Sequence, residues 1–315
     1  MRVVVVGAGV VGLSCAVQLA EAGHEVAVLA RDLPRETTSA VAAGWWYPYL
    51  AAPRERVLTW AAETYQHLDR LAATTPAAGV RQRESVQLLH RVEPDPAWAS
   101  LLPSLHAAVD LPTGYVAGWE FTAPVADTSV YLPYLAGRLT SAGGTLTRAA
   151  LSALPGGGDA VVNASGLAAR SLTGDTTLTP VRGQVVRLAG VTVERVWLDE
   201  GALADGSAMT YIVPREHDVV VGGTAESGRW DTTADPEVTA RLLERATRLV
   251  PELRQAQVVA ARVGLRPARP AVRLELEERS GAAPVVHCYG HGGSGVTLSW
   301  GCGREVTALV DSLRA

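Results

Sequence analysis

The sequence has no lysine: all 28 of its basic residues are arginine. This excludes an internal-aldimine pyridoxal phosphate enzyme, a Schiff-base aldolase and a Walker A phosphate loop, each of which needs a lysine amine. Cysteine is scarce as well. Cys15, Cys288 and Cys302 form no CxxC pair and no disulfide framework, as expected of a reduced, cytoplasmic protein. A Cys288–Cys302 bridge stays open at this level. Charge of one sign is not in excess, with a net of -4 and a pI near 6.0, so no overall basic field draws the chain to nucleic acid or anionic lipid. A membrane span is not expected either. Residues 3–20 are almost wholly apolar behind Arg2, but three glycines interrupt them, and Glu21 and His24 close the run without a small-residue cleavage site. They read as a buried strand and helix rather than a leader or an anchor.

At 315 residues, 48% hydrophobic and 19% charged, the chain is long enough for a large α/β domain and a smaller second one. Arg2–Val6 is a β-branched run that reads as a buried parallel strand, Val10–Glu21 as a helix ended by Gly23, and Glu25–Ala30 as a second strand. A helix fits Glu55–Leu71. Short alternating segments at Ser85–His90 and Tyr115–Thr122 read as antiparallel sheet, and Asp127 or Thr128 caps a helix that ends at Gly143-Gly144. Strands are expected at Gly144–Leu151, Ala160–Asn163, Arg182–Leu188, Thr210–Val213 and Asp218–Gly223. Asp235-Pro236-Glu237 starts a helix to about Leu249. Pro284–Tyr289 is a last strand, followed by a glycine-rich turn and a helix from Ser294 to Leu313. The expected class is α/β: a Rossmann-type domain (1–50, 130–181 and 262–315) with an interleaved, mainly antiparallel α+β substrate domain (51–129 and 182–261).

Two turns bear on chemistry. In Gly7-Ala8-Gly9-Val10-Val11-Gly12, Gly7 permits a tight strand-to-helix turn, Gly9 lets backbone approach a pyrophosphate, and Gly12 allows close helix–strand packing. Asp32 follows at the fingerprint distance. Arg31 beside it competes for the ribose, so FAD and NADP both remain open here. The second turn, Tyr289-Gly290-His291-Gly292-Gly293-Ser294-Gly295-Val296-Thr297, again follows an apolar strand and opens a helix. One such helix end can serve a pyrophosphate. The other can stabilise an anionic reduced flavin. His287 and His291 sit on a strand and a turn rather than on one helix face, so no metal site is expected. Thr37-Thr38-Ser39 and Ala43-Gly44-Trp45 supply hydroxyls and small residues for a cofactor. Arg266, Arg269 and Arg273 fall in a proline-rich extended stretch, where one guanidinium can face a cleft and capture a carboxylate. Tyr211 is either a phenol donor in that cleft or a half-buried sheet tyrosine.

Together these segments resemble the D-amino-acid oxidase family from end to end: Val3–Ser14, Ala30–Pro34, Val41–Tyr49, Tyr211–Pro214 with Gly222-Gly223-Thr224, Gly264–Leu274 and Tyr289–Cys302 agree with it in order and spacing. The resemblance implies a non-covalent FAD and oxidation of a neutral D-amino acid to an imino acid, with O2 taking the electrons to give H2O2. The imino acid then hydrolyses to a 2-oxo acid and ammonia. It implies that Arg273 binds the α-carboxylate, assisted by the Tyr211 hydroxyl, and that the Gly293 carbonyl accepts from the amine. It further implies direct hydride transfer to flavin N5 without an essential protein acid or base. FAD contacts are implied at Gly7, Ala8, Gly9, Val10, Val11 and Gly12, at Arg31 and Asp32, at Thr37, Thr38 and Ser39, and at Ala43, Gly44 and Trp45. Gly292, Gly293, Ser294, Gly295, Val296 and Thr297 complete the set, with Ala150 a more distant match near the adenine.

The sequence departs from the family where other members carry a second site tyrosine, for those places hold Ser207 and Ala225. A short loop at Leu203–Thr210 without an aromatic implies an open pocket, fast product exit and room for bulky side chains. The competing readings are D-aspartate oxidase, with Arg215 or His217 as the extra cation, another amine or amino-acid oxidase, and a non-catalytic dinucleotide-binding module. A homodimer is allowed by the sequence; the partners expected are the small-molecule substrate and O2.

Overall fold

The computed structural model describes residues 1–49, 51–201 and 209–314. The chain opens with β1 (Arg2–Val6), α1 (Val10–Glu21) and β2 (Glu25–Ala30). The valines of β1 pair in parallel with β2, and Gly23 takes φ +85° where α1 ends, a conformation that costs glycine nothing. Next come α2 (Arg54–Thr74), β3 (Val80–Leu89), β4 (Leu105–Ala107) and β5 (Ala117–Ala126), then α3 (Thr128–Ser141), β6 (Thr145–Arg148), β7 (Ala160–Asn163) and α4 (Ala169–Thr173). Asp127 caps α3 by accepting the Ser129 N–H at 3.0 Å. The third stretch holds β8 (Thr179–Ala189), β9 (Val196–Asp199), β10 (Thr210–Pro214), β11 (Val219–Gly222), β12 (Glu226–Ser227) and α5 (Pro236–Leu249), the last capped by Asp235. The chain then runs through β13 (Gln257–Glu277), β14 (Val285–His291) and α6 (Gly295–Ser312).

These strands make one continuous sheet in the order β4-β5-β3-β9-β10-β11-β8-β13-β14-β7-β1-β2-β6, with β12 paired to β8 off that path. One end, β14-β7-β1-β2-β6, is entirely parallel. The other is antiparallel apart from the β3–β9 pair.

The sequence gives no warning of β9 or of the full length of β13. That strand joins the two kinds of sheet: Gln257–Ala268 pairs with β8, and Arg273–Glu277 pairs with β14, with a register shift between Ala268 and Arg273. Pro267 and Pro270 lie in the stretch where the partner changes. Without N–H groups they weaken the ladder there. The domain boundary drawn from the sequence at Arg262 therefore falls inside an unbroken strand. Helices α1 and α6 start at the same end of the parallel strands. A Cβ at Gly295 would meet Val10 Cγ1 at 3.6 Å, and further along Gln18 Nε2 donates to the Trp300 carbonyl at 3.2 Å. Among the described residues, no helix is long and apolar enough to cross a membrane.

Candidate active site

Two helix N-termini lie side by side where β1 and β14 end. In α1 the first intrahelical bond is Leu13 N–H to the Gly9 carbonyl. The Val10 N–H instead donates to Ser39 Oγ at 3.0 Å, which leaves the Val11 and Gly12 donors without a partner inside the helix. In α6 the first bond is Leu298 N–H to the Ser294 carbonyl, so the Gly295, Val296 and Thr297 N–H groups have no intrahelical partner either. The turn leaves no room for larger residues: a Cβ on Gly12 would lie 2.0 Å from the Gly7 carbonyl oxygen, and one on Gly9 3.2 Å from Ser39 Oγ. Clustered N–H groups and two aligned helix dipoles suit a bound diphosphate or an anionic ring edge.

The side chains of α6's first turn are already engaged. Ser294 Oγ donates to the Tyr49 carbonyl at 2.6 Å and accepts its N–H at 3.1 Å. Thr297 Oγ1 does the same for Tyr47, at 3.0 and 3.1 Å. These two reciprocal pairs pin the segment from Trp45 to Tyr49 along the cradle, and at its start the Ala126 N–H donates to the Gly44 carbonyl at 2.9 Å. Thr38 Oγ1 donates to the Leu265 carbonyl at 3.1 Å, while Thr37 Oγ1 donates to the Pro34 carbonyl. Arg31 and Asp32, just beyond β2, face each other in a bidentate pair. Ala150 follows β6 next to them, since the Ala149 N–H donates to the Ala30 carbonyl. The residues expected to hold the cofactor thus share one end of the parallel strands. They fit a dinucleotide: glycines where a side chain would clash, and unpaired N–H donors.

A second cluster lies against this cradle. The Tyr211 ring covers the Gly222-Gly223 backbone, where a Cβ on Gly222 would sit 2.2 Å from the ring. Its hydroxyl contacts the Arg266 guanidinium, which opposes the upward push of burial on the phenol. Arg266 lies flat over Gly183, whose missing Cβ would be 2.4 Å from Nη1, and donates to the Thr224 carbonyl at 2.7 Å. Gly293 is exposed, with Tyr49 Cδ1 3.1 Å and Arg266 Cδ 3.7 Å from its Cβ position. Tyr211 and Gly293 are therefore brought together, and the guanidinium between them is that of Arg266.

Arg273 is not part of this cluster. It lies seven residues on, past the register shift, opposite Tyr289. Its guanidinium donates to Glu275 at 2.6 Å, Glu277 at 2.9 Å and the Tyr289 hydroxyl at 3.0 Å. Arg273 was expected to meet the substrate; in this structure its donors face the carboxylates of Glu275 and Glu277 on its own strand and the Tyr289 hydroxyl. Arg269 is likewise engaged, with Asp175 at 2.9 Å. The signal for Arg266 was present as one of three equivalent arginines, and the sequence had no means to rank them. Tyr49 and Thr224 were within matched segments but were not singled out.

The remaining expectations fall as follows. Ser207 and most of the Leu203–Thr210 loop lie outside the described residues, while Ala225 stands between β11 and β12. Arg215 is buried and paired with Asp218 at 2.6 Å and Asp127 at 3.4 Å, away from the Arg266 cluster. All three cysteines are free and buried, so the bridge left open between Cys288 and Cys302 is not formed. Donor atoms of Cys288, His291 and Cys302 lie within 4.8 Å of one another. Burial holds His291 down at about 4 and pushes the Cys302 thiol up, which keeps these groups neutral in the core.

Comparison with known proteins agrees with this geometry. The family model described as FAD dependent oxidoreductase matches residues 2–309. A D-amino-acid oxidase of Rubrobacter xylanophilus is 51% identical over 98% of this chain and 95% of its own length. A D-aspartate oxidase of Homo sapiens is 38% identical over 98% and 94%. Among solved structures, a glycine oxidase from Geobacillus kaustophilus superposes with a TM-score of 0.81 at 21% identity, covering 99% of this chain and 95% of that one; at that identity the likeness speaks for the fold. The chain belongs to the FAD dependent oxidoreductase family and, within it, to the D-amino-acid oxidases.

Proposed function

We propose that this chain oxidatively deaminates D-amino acids with Arg266, rather than Arg273, as the carboxylate clamp. The observation that carries the assignment is the Tyr211–Arg266–Gly293 cluster against the start of α6. Arg266 presents a fork that matches a carboxylate, and no ion pair among the described residues engages it. A planar guanidinium next to a phenol hydroxyl grips an α-carboxylate at two points. The Gly293 carbonyl, on the exposed turn, accepts from the substrate amine. With carboxylate and amine both fixed, the Cα–H has one orientation left, which is the positional part of catalysis.

When bound, FAD would supply the two-electron acceptor for the Cα hydride, with O2 as the final oxidant. The chain's share in holding it falls to the Val11, Gly12 and Gly295–Thr297 N–H groups, with Asp32 for the ribose. The imino acid leaves as 2-oxo acid and ammonia after hydrolysis. The D hand of the substrate rests on likeness to the relatives named above. Arg215 does not support D-aspartate as substrate, because it is closed by two carboxylates, and His217, the other cation offered for it, is exposed.

Anaerobic mixing of the purified flavoprotein with D- and L-amino acids tests the reading. Bleaching of the flavin band by D-alanine, D-valine or D-leucine, and not by their L forms, is the expected result. A preparation that binds no flavin, or one that no D-amino acid bleaches, would sink it. The open pocket is checked separately by comparing turnover on D-Ala with that on D-Val, D-Leu and D-Phe; a preference confined to D-Ala would remove it.

A further inference from the structure

We infer that the same site favours D-amino acids with a cationic side chain, and that Glu200 is the residue that selects them; this rests on the oxidase reading above. The sheet brings Glu200 to the cluster. Leu198 in β9 stands opposite Tyr211 in β10 on one side and Gln87 in β3 on the other, so all three side chains share a face. Glu200 follows Leu198 by two residues, the strand period that returns a side chain to the same face. Gln87 Nε2 donates to Glu200 Oε2 at 3.0 Å, and the Tyr47 hydroxyl also reaches this carboxylate. Tyr47 is fixed by Thr297 at the start of α6, so Glu200 is tied to the cradle as well as to the sheet.

Cations are what this corner lacks. No ion pair among the described residues includes Glu200, and its charged neighbours are Glu93 and Asp199, which add to burial in raising its pKa. Asp199 is itself occupied by the Tyr115 hydroxyl, His90 and the Gly201 N–H. Gln87 Oε1 is buried without a hydrogen-bond partner. This half-buried carboxylate has two neutral donors and no cation among the described residues, and beside it lies a buried amide oxygen without a partner, so acceptor capacity is left over for a further donor. A guanidinium or ammonium on the substrate side chain supplies several donors and a charge at once.

Tyr49 relates this pocket to the carboxylate clamp. Burial raises its phenol pKa most; Arg266 pulls it down and Glu200 pushes it up. The phenol thus lies within electrostatic reach of both the cation and the anion. A D-amino acid with a long basic side chain matches that polarity, with its α-carboxylate at Arg266 and its distal cation at Glu200. An acidic side chain meets like charge, which disfavours it by repulsion.

The test compares D-arginine with D-citrulline, a neutral molecule of nearly the same shape, in steady-state turnover of the holoenzyme. The expected kcat/KM ratio is about tenfold or more in favour of D-arginine, expressed mainly in KM, as for a charge-assisted hydrogen bond set against a neutral one. Glu200→Gln should bring that ratio to within about threefold of unity. A ratio near one in the unaltered enzyme overturns the inference, and so does a high ratio that survives in E200Q. Because the unaltered enzyme is itself an arm, a poorly folding variant does not shield the idea. D-Leucine separates the two readings: if it bleaches the flavin while the ratio is one, only the role of Glu200 fails. If neither D-leucine nor the basic substrates bleach it, the oxidase reading fails as well.

Discussion

Arg266 and Arg273 stand on the same strand, seven residues apart, and their surroundings differ in kind. Arg273, in the half of β13 paired to β14, is ringed by Glu275, Glu277 and the Tyr289 hydroxyl. Its neighbour Arg269 is closed by Asp175. Arg266, in the half paired to β8, has a backbone carbonyl and a phenol for company and no carboxylate among the described residues. Glu200 on the same side of the sheet is in no ion pair among the described residues. Where charges meet opposite charges they hold strands in register. Where a half-buried charge is left without its opposite, the missing partner is a ligand.

The largest expected effect follows from that contrast. Arg266→Ala should lower kcat/KM for D-amino acids by about thirtyfold to a few thousandfold, since losing one side of a desolvated charge pair costs roughly 2–5 kcal/mol. The melting temperature should fall only slightly, because the partners lost among the described residues are one backbone carbonyl and a phenol rather than a carboxylate. An R266A enzyme with near-normal kcat/KM would end the assignment.

Asp175→Asn is the mirror case. Asp175 is buried, which by itself would raise its pKa, yet hydrogen bonds from Thr177, Arg269 and Tyr289 outweigh this and hold it well below the usual carboxylate range. The variant should lose about 2–4 kcal/mol of stability at neutral pH and keep its turnover. The sign follows from a depressed folded pKa. The stabilisation is full above the unfolded value, about 3.9, and is lost as pH falls through the folded one. Denaturation curves of the two proteins should therefore converge in acid; a gap that widens in acid would contradict the pairing. Next in size, Tyr211→Phe should cost about tenfold in kcat/KM, the worth of a single hydrogen bond to a charged group. Smallest of all, Arg273→Gln should remove roughly 1 kcal/mol of stability or less and leave kcat/KM within about twofold. A steep loss of activity in R273Q would return the clamp to that residue.

The elements of the cofactor half were legible because their signals are local. Gly7–Gly12 and Gly290–Gly295 each combine an apolar strand, a turn that tolerates only small residues and a helix start, all within a dozen residues. The caps at Asp127 and Asp235 are local as well. The substrate half resisted. Strand β9 has only four residues between a proline-free loop and the 202–208 segment, too short for alternation to declare itself. In β13 the burial pattern is irregular, since its two faces meet different partners along its length. Arg266, Arg269 and Arg273 are alike to any argument from residue type, and the resemblance pointed to Arg273, two arginines beyond Arg266 on the same strand.

What the sequence by itself determined is the βαβ opening, the second glycine turn and a dinucleotide between them, because glycine conformation and helix starts are set by neighbours along the chain. It also determined which chemistry is absent, through the missing lysines. The tertiary structure alone decided which arginine is free to meet a carboxylate and which acid lacks a cation. The physical reason is that a charge's availability depends on which partners the sheet brings within reach, charged or neutral, and those lie tens to a hundred or more residues away: the Thr224 carbonyl beside Arg266, the Gln87 amide beside Glu200 and the Asp175 carboxylate beside Arg269.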